Sequence, residues 1–258
     1  MRASGKRGTG TSRSGEIVVD DYARIDHDRL RRTGVPEVIL GEGKSVEQLV
    51  GILRSVRARG LGALVSRPST AQRRALQGAA HSDLRTRSLA GGRILRLPGP
   101  LGGSYRNGTV AILAAGTSDV AVAREAEAVL EELGIRVACA FDVGVAGLHR
   151  LLRALRRLEL RKPETYLVFA GREGALPTVV AGLVRAPVVG IPTSIGYGRG
   201  GRGHAALNAM LQSCAPIAVF NIDAAVPAAL FAAQRFATEP SSKRRARRHS
   251  SAHQSARP

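Results

Sequence analysis

From Thr109 onward, short apolar segments alternate with amphipathic ones at the spacing of strand–helix–strand units. The apolar segments are rich in β-branched residues or alanine, which is typical of buried parallel strands. We predict strands at Val110–Ala114, Ile135–Phe141, Thr165–Ala170, Val188–Ile191 and Ala218–Asn221. We predict helices at Val120–Leu133, Leu148–Leu158, Leu176–Val184, Ala205–Gln212 and Ala225–Phe236. The pattern predicts a flavodoxin-like, doubly wound parallel sheet in a three-layer α/β domain over residues 109–236.

Residues 16–108 are expected to form a smaller α/β domain and a linker. Ser45, with Gln48 three residues later, matches a capping box at the start of a helix that ends near Arg59. We predict strands at Val38–Leu40, Leu61–Val65 and Ile94–Leu97. The glycine- and proline-rich segment 98–108 then serves as the linker to the next domain.

Charge is unevenly distributed along the chain. The formal net charge is +19, and nearly half of it comes from residues 1–15 and 237–258. These segments have few apolar residues, so we expect disordered basic tails. Aromatic residues make up 3% of the chain and tryptophan is absent, which leaves few platforms for base stacking. Nucleic-acid binding through the tails is therefore an alternative that we do not favour.

The sequence also bears on the compartment. It contains no apolar run of membrane-spanning length, and its first 15 residues contain no apolar signal region. The two cysteines are too few for a disulfide framework. We expect a cytoplasmic protein with reduced thiols and no membrane partner.

Ligands of such sheets bind beyond the carboxyl ends of the strands, where loops carry the chemistry. The first of these loops, Gly116-Thr117-Ser118-Asp119, precedes a predicted helix. Its glycine, its hydroxyls and the helix N-terminus favour an anion such as phosphate. Ser118 or Asp119 has a simpler use as the helix cap, and the two roles are compatible.

Two further loops carry titratable side chains. The second contains Asp142 and leads to His149, which is either a proton carrier or a solvated residue beside arginines. The third places Glu173 between Gly171 and Gly174. A charged residue there is seldom needed for folding, which favours a catalytic or ligand-binding role.

The two cysteines have different expected roles. Cys139 lies within a predicted strand and is expected to be an inert packing residue. Cys214 follows a helix that comes after the glycine-rich loop 192–204. We expect its thiol near the loops, where Arg199 and Arg202 would lower its pKa and activate it as a nucleophile.

Several motifs together resemble a known family. They are similar to the pyridinium-3,5-biscarboxylic acid mononucleotide synthases, the lactate racemase maturation protein B family. The C-terminal domain, with GTSD at 116–119, resembles the aminoimidazole ribonucleotide carboxylases and mutases. The segments that carry the likeness are DHDRLRRTGVPEVILGEGKS at 26–45, DVGVAGLHRLL at 142–152, GALPTVVAGLVRAPVVGIPTSIGYG at 174–198, AMLQSCA at 209–215 and NID at 221–223.

The resemblance implies the first step in making the nickel-pincer nucleotide, the cofactor of lactate racemase. Carbon dioxide would carboxylate the pyridinium ring of nicotinic acid adenine dinucleotide, and hydrolysis of the phosphoanhydride would release AMP. Cys214 would add to the ring so that C5 becomes nucleophilic. Either Glu173 or His149 would then remove the C5 proton.

The resemblance also implies binding residues, a metal and an assembly. The GTSD loop would hold phosphate, and Asp142 and Asp223 are secondary candidates for ribose or metal contacts. The remaining expected substrate contacts are Gly171, Gly174, Ser194, Gly196 and Tyr197. Mg²⁺ would assist anhydride cleavage, although no spacing identifies its ligands. The purine carboxylases suggest a homo-oligomer, an octamer by resemblance, and a true purine carboxylase or mutase is the alternative enzyme.

Overall fold

The computed structural model describes residues 16–19, 21–26 and 28–238. These residues form two compact units, one ending at Ser104 and the other spanning Tyr105–Thr238. The predicted basic tails lie outside the described residues, except for positions 237 and 238. Among the described residues, no helix combines the length and apolar character that a membrane span requires.

The N-terminal unit contains a hairpin and a four-stranded mixed sheet. Its helices are α1 (Arg29–Thr33), α2 (Val46–Arg57) and α3 (Thr70–Gln77). Its strands are β1 (Glu16–Val19), β2 (Ala23–Asp26), β3 (Val38–Leu40), β4 (Ala63–Ser66), β5 (Arg87–Leu89) and β6 (Ile94–Leu97). Strands β1 and β2 pair as the antiparallel hairpin, and the larger sheet has the order β3-β4-β6-β5. Only β3 and β4 pair in parallel within it.

Helix α2 shows how the sequence determines this unit. The Ser45 hydroxyl accepts the Gln48 amide at 3.2 Å, and the Gln48 side chain accepts the Ser45 amide at 2.9 Å. The predicted capping box is confirmed. One face of the helix then buries Leu49, Val50, Ile52, Leu53 and Val56. The hairpin, α1, α3 and β5 were not predicted.

The C-terminal unit contains five parallel strands connected by helices. Its strands are β7 (Thr109–Ala114), β8 (Arg136–Phe141), β9 (Thr165–Ala170), β10 (Val188–Pro192) and β11 (Ile217–Val219). Its helices are α4 (Val120–Glu132), α5 (Leu148–Glu159), α6 (Leu176–Ala181), α7 (His204–Leu211) and α8 (Ala225–Gln234). The strand order is β11-β10-β9-β7-β8, with every pair parallel. This is the flavodoxin-like order, so the predicted fold class is confirmed.

Helices cover both faces of this sheet. Helices α4 and α8 pack together on one face. Helices α5, α6 and α7 contribute Leu151, Val180 and Met210 to the core on the other face. The predicted α6 is too long because the structure ends it at Ala181. The last strand occupies Ile217–Val219 rather than 218–221.

The capping box offers a direct test of the N-terminal unit. We expect Ser45→Ala to lower its free energy of unfolding by about 1 kcal/mol, because the Gln48 amide loses its acceptor. Urea denaturation followed by amide hydrogen exchange in α2 measures this change. Ser45→Thr keeps the hydroxyl and is the matched control. Equal stability of all three proteins would show that the cap contributes nothing.

Candidate active site

The sheet reverses its strand order between β7 and β9, and this switch point is where doubly wound folds bind ligands. Gly116–Asp119 follows β7, and Gly171 immediately follows β9. Loop 193–196 follows β10, the next strand along. The structure therefore brings three of the predicted loops to one edge of the sheet, which we call the carboxyl edge.

A buried carboxylate connects these loops. Asp119 is 5% exposed, and its Oδ2 atom accepts the Gly116 amide at 2.9 Å. Its Oδ1 atom accepts the hydroxyl of fully buried Thr193 at 2.5 Å. Asp119 therefore caps the turn that leads into α4 and also ties the β7 loop to the β10 loop.

Burial raises the pKa of Asp119 above its usual value. The hydrogen bonds from Thr193, Gly116 and Gly171 oppose this rise, while the negative charge of Asp223 adds to it. Because a buried ionised carboxylate is costly, these donors are what allow Asp119 to remain charged in the folded protein.

Gly171 is required by close packing rather than by an unusual backbone angle. A Cβ atom there would lie 2.3 Å from the carbonyl oxygen of Ile195 and 2.7 Å from the Thr193 hydroxyl. Gly174 has φ +66°, and its Cβ would lie 2.6 Å from the carbonyl oxygen of Ala206. Both glycines therefore let the β9 loop lie directly against its neighbours.

The segment after β11 completes this edge. The Asp223 carboxylate accepts the Ser194 amide at 2.9 Å, and the Asp223 amide donates to the Pro192 carbonyl at 2.8 Å. Asp223 has φ +56°, in the left-handed region. Its role in the structure is thus to hold loop 193–196 in place.

The remaining predicted polar residues line this edge in exposed positions. Tyr197 is 76% exposed, and the Arg172 guanidinium lies 5.0 Å from the centre of its ring. Gly196 is half-buried beside it. The exposed residues of the set are Thr117, Ser118, His149, Glu173 and Ser194. Their exposure leaves these groups accessible to a ligand.

Asp142 lies on the loop after β8. Its carboxylate forms a 2.5 Å ion pair with Arg150 at the start of α5, and both side chains are about half exposed. A Cβ atom on Gly144 would lie 2.9 Å from the carbonyl oxygen of Ala115. The second loop therefore packs against the first, and Asp142 positions Arg150 beside it.

Cys214 does not join these loops within the chain. It lies between α7 and β11, at the amino end of β11, because Ile217 pairs with Val188 at the start of β10. The 8 residues of α7 span about 12 Å from the carboxyl edge towards the opposite one. The expectation that the thiol lies near Arg199 and Arg202 is wrong for a single chain, because the helix carries the chain away from that loop.

The two thiols differ in accessibility. Cys214 is exposed. Cys139 is half-buried, and its Sγ donates to Glu127 Oε1 at 3.3 Å. Burial, with the nearby charge of Glu127, raises the pKa of the Cys139 thiol far above its usual range. Cys139 is therefore a poor nucleophile at neutral pH.

The described residues provide no group of three or more His, Cys, Asp or Glu side chains arranged to bind a metal ion. Of the carboxylates that approach each other at the carboxyl edge, Asp119 uses both oxygens in hydrogen bonds within the chain. The donor set does not fit a metal ion held by protein side chains alone, and no step is assigned to one below.

Sequence reasoning missed two residues of this edge. Thr193 was passed over because a threonine after a strand resembles ordinary loop composition. Arg172 was overlooked beside Glu173. The available signal was position, since each directly follows the end of a strand or its first loop residue.

The Thr193–Asp119 hydrogen bond predicts a pH-dependent loss of stability in Thr193→Val. This variant keeps the shape but leaves a buried carboxylate oxygen without its donor, at a cost of about 1–3 kcal/mol. Losing the donor raises the pKa of Asp119 further, so the loss is larger at pH 7, where the carboxylate is charged, than at pH 4. Urea denaturation at both pH values measures it, with Thr193→Ser as the control. A loss independent of pH would contradict this account.

Comparisons with known proteins place this unit and the one before it. The AIR carboxylase profile matches residues 109–256, and the LarB/PurE-like N-terminal domain profile matches residues 18–95. An uncharacterized protein of Methanocaldococcus jannaschii is 37% identical over 223 residues, which cover 83% of this chain and 84% of that protein. Two crystal structures of Treponema denticola PurE are 26% identical with TM-scores of 0.39, covering 47% of this chain and 77% and 78% of theirs. The chain therefore belongs to the AIR carboxylase family, in the form that carries a LarB/PurE-like N-terminal domain.

Proposed function

We propose that this protein carboxylates the pyridinium ring of nicotinic acid adenine dinucleotide with carbon dioxide and hydrolyses its phosphoanhydride. The products are pyridinium-3,5-biscarboxylic acid mononucleotide and AMP. The observation that carries the proposal is the pairing of the two family profiles, on residues 18–95 and 109–256 of one chain. A carboxylase domain alone would favour a purine enzyme, whereas the N-terminal domain favours the pyridinium reaction.

The carboxyl edge is the proposed dinucleotide site. Thr117 and Ser118 offer exposed hydroxyls at the start of a 13-residue helix, whose N-terminus favours phosphate. Ser194 and Tyr197 are exposed on the facing loop. In this proposal Asp119 is a positioning residue, because its oxygens hold the loops rather than face a ligand.

The chemistry requires a nucleophile that converts an electron-poor ring into an electron donor. A thiolate that adds to C4 gives a dihydropyridine whose C5 is an enamine carbon, and C5 then attacks carbon dioxide. Loss of the C5 proton to a base restores the aromatic ring and expels the thiolate. Cys214 is the proposed nucleophile, since it is the exposed cysteine and Cys139 is half-buried beside Glu127.

The position of Cys214 adds a requirement to this mechanism. Its thiol and the loops lie at opposite edges of the sheet in one chain. We therefore propose a homo-oligomer in which Cys214 of one copy meets the carboxyl edge of another. The reaction would then take place between two copies, with the nucleophile and the phosphate-binding loops on different chains.

Glu173 and His149 remain the two candidates for the base. Both are exposed, on the loop after β9 and at the start of α5 respectively. Each is a titratable group at the carboxyl edge, where it can reach a ring held there. Kinetic analysis of Glu173→Gln and His149→Asn separately would assign the role to the variant with the larger loss of kcat.

The activity itself is tested by incubating the full chain with nicotinic acid adenine dinucleotide, bicarbonate and Mg²⁺. We expect mass spectrometry to detect AMP and the dicarboxylated mononucleotide. Cys214→Ser should abolish both products of the carboxylation route, whereas Cys139→Ser, the matched control, should retain activity. A protein that instead carboxylates aminoimidazole ribonucleotide, with Cys214→Ser still active, is a purine carboxylase and the proposal is wrong.

The shared site is tested by mixing two inactive variants. Cys214→Ser keeps the loops, and the double variant Glu173→Gln/His149→Asn keeps the thiol. Random mixed oligomers should regain about a quarter of the wild-type activity, because one site in four then combines an intact thiol with intact loops. Mixing unlabelled wild type with either variant controls for exchange of subunits. Complete lack of recovery despite exchange would place thiol and loops on the same chain.

A further inference from the structure

Strand β8 lies at the edge of the five-stranded sheet, next to β7. Helix α5 leads from β8 to β9 and therefore passes over β7, which lies between them. This path leaves part of the α5 face of β8 uncovered. A groove of about 780 Å³ lies there, along the strand and the second half of α5.

Small side chains give the groove its depth. Ala138 and Ala140 of β8 and Ala154 of α5 line it, together with Leu158. Ala140 and Ala154 are almost fully buried and belong to the core on this face of the sheet. Longer side chains at these positions would close the space, so the groove has an apolar floor. Its volume lies within the range of small-molecule sites, roughly 300–1,000 Å³.

Three arginines surround this floor. Arg136 begins β8, Arg157 lies on α5 and Arg161 follows that helix, and all three line the groove with exposed side chains. Glu131 is the one acidic side chain in the lining. The groove therefore has an excess of positive charge over an apolar floor.

These arginines differ from others in the same unit. Arg106, Arg124 and Arg150 form ion pairs of 2.5–2.7 Å with acidic side chains. Within the described part of the chain, no such pair involves any of the three groove arginines. Three guanidinium groups without acidic partners around one cavity are suited to bind an anion.

The groove is separate from the proposed dinucleotide site. Thr109, Arg136 and Arg161 lie at the amino ends of their strands, whereas Gly116 and Gly171 follow the carboxyl ends. A six-residue strand separates the two edges by about 20 Å. A ligand held by these arginines would thus lie away from the carboxyl edge.

We propose that this groove is a second ligand site, which binds an organic phosphate of nucleotide size. Planar guanidinium groups bind phosphate oxygens through paired hydrogen bonds. The alanine and leucine floor offers a flat apolar surface for the organic part. This site does not depend on the proposed carboxylation, since it uses none of the same residues.

The test uses ADP as the organic phosphate, pyrophosphate as the anion alone and adenosine as the ring alone. Calorimetry with the full chain in 150 mM KCl should show ADP binding more tightly than pyrophosphate, and adenosine weakly or not at all. In Arg157→Gln/Arg161→Gln, ADP binding at this site should weaken roughly 10-fold or more, because charged hydrogen bonds to phosphate are lost. The carboxylase assay on this variant separates the outcomes, since the carboxyl edge is unchanged.

Arg153→Gln/Arg156→Gln is the matched control, because it removes the same charge from the same helix outside the groove. It should change ADP affinity less than about 3-fold, as expected for screened surface charge. Equal weakening in both double variants would show diffuse attraction and overturn the proposal. Absence of ADP binding to the wild type would overturn it as well, and light scattering would show whether a second copy fills the groove instead.

Discussion

The common direction of the five strands is the constraint on which the rest of the C-terminal unit depends. Because every pair is parallel, each loop that follows a strand emerges at the same edge. Loops that are far apart in sequence, such as those containing Gly116 and Gly171, therefore become neighbours. The same constraint sends each segment that precedes a strand to the opposite edge, and this is why Cys214 lies away from the loops.

A buried charge stabilises the arrangement that this polarity creates. Asp119 must keep its donors if it is to remain ionised at 5% exposure, and those donors belong to loops after three different strands. Movement of any one loop would leave a buried polar group unsatisfied. The carboxyl edge is thus preorganised before a ligand arrives, which lowers the conformational cost of binding.

The elements with strong apolar character could be predicted from the sequence. Strand β9 was placed at Thr165–Ala170 because all six residues are buried, so each contributes to the signal. Strand β5 has three residues, none of them buried, and gives no such signal. Helix α3 escaped notice although Ser69 and Gln72 form a capping box like that of α2. The loops were predictable as a group, but the Thr193–Asp119 pair was not, because 74 residues separate its partners.

The surroundings of Cys214 bear on how a thiol at the edge of the sheet would become reactive. Leu211, three residues earlier, is 65% exposed, and Cys214 itself is exposed to solvent. Addition of a thiolate to a pyridinium ring is favoured where water is excluded, because charged groups then interact more strongly. Within one chain nothing among the described residues covers this thiol. A second copy that packed on Leu211 would bury apolar surface and enclose the thiol at once, so assembly and activation of the nucleophile would be the same event.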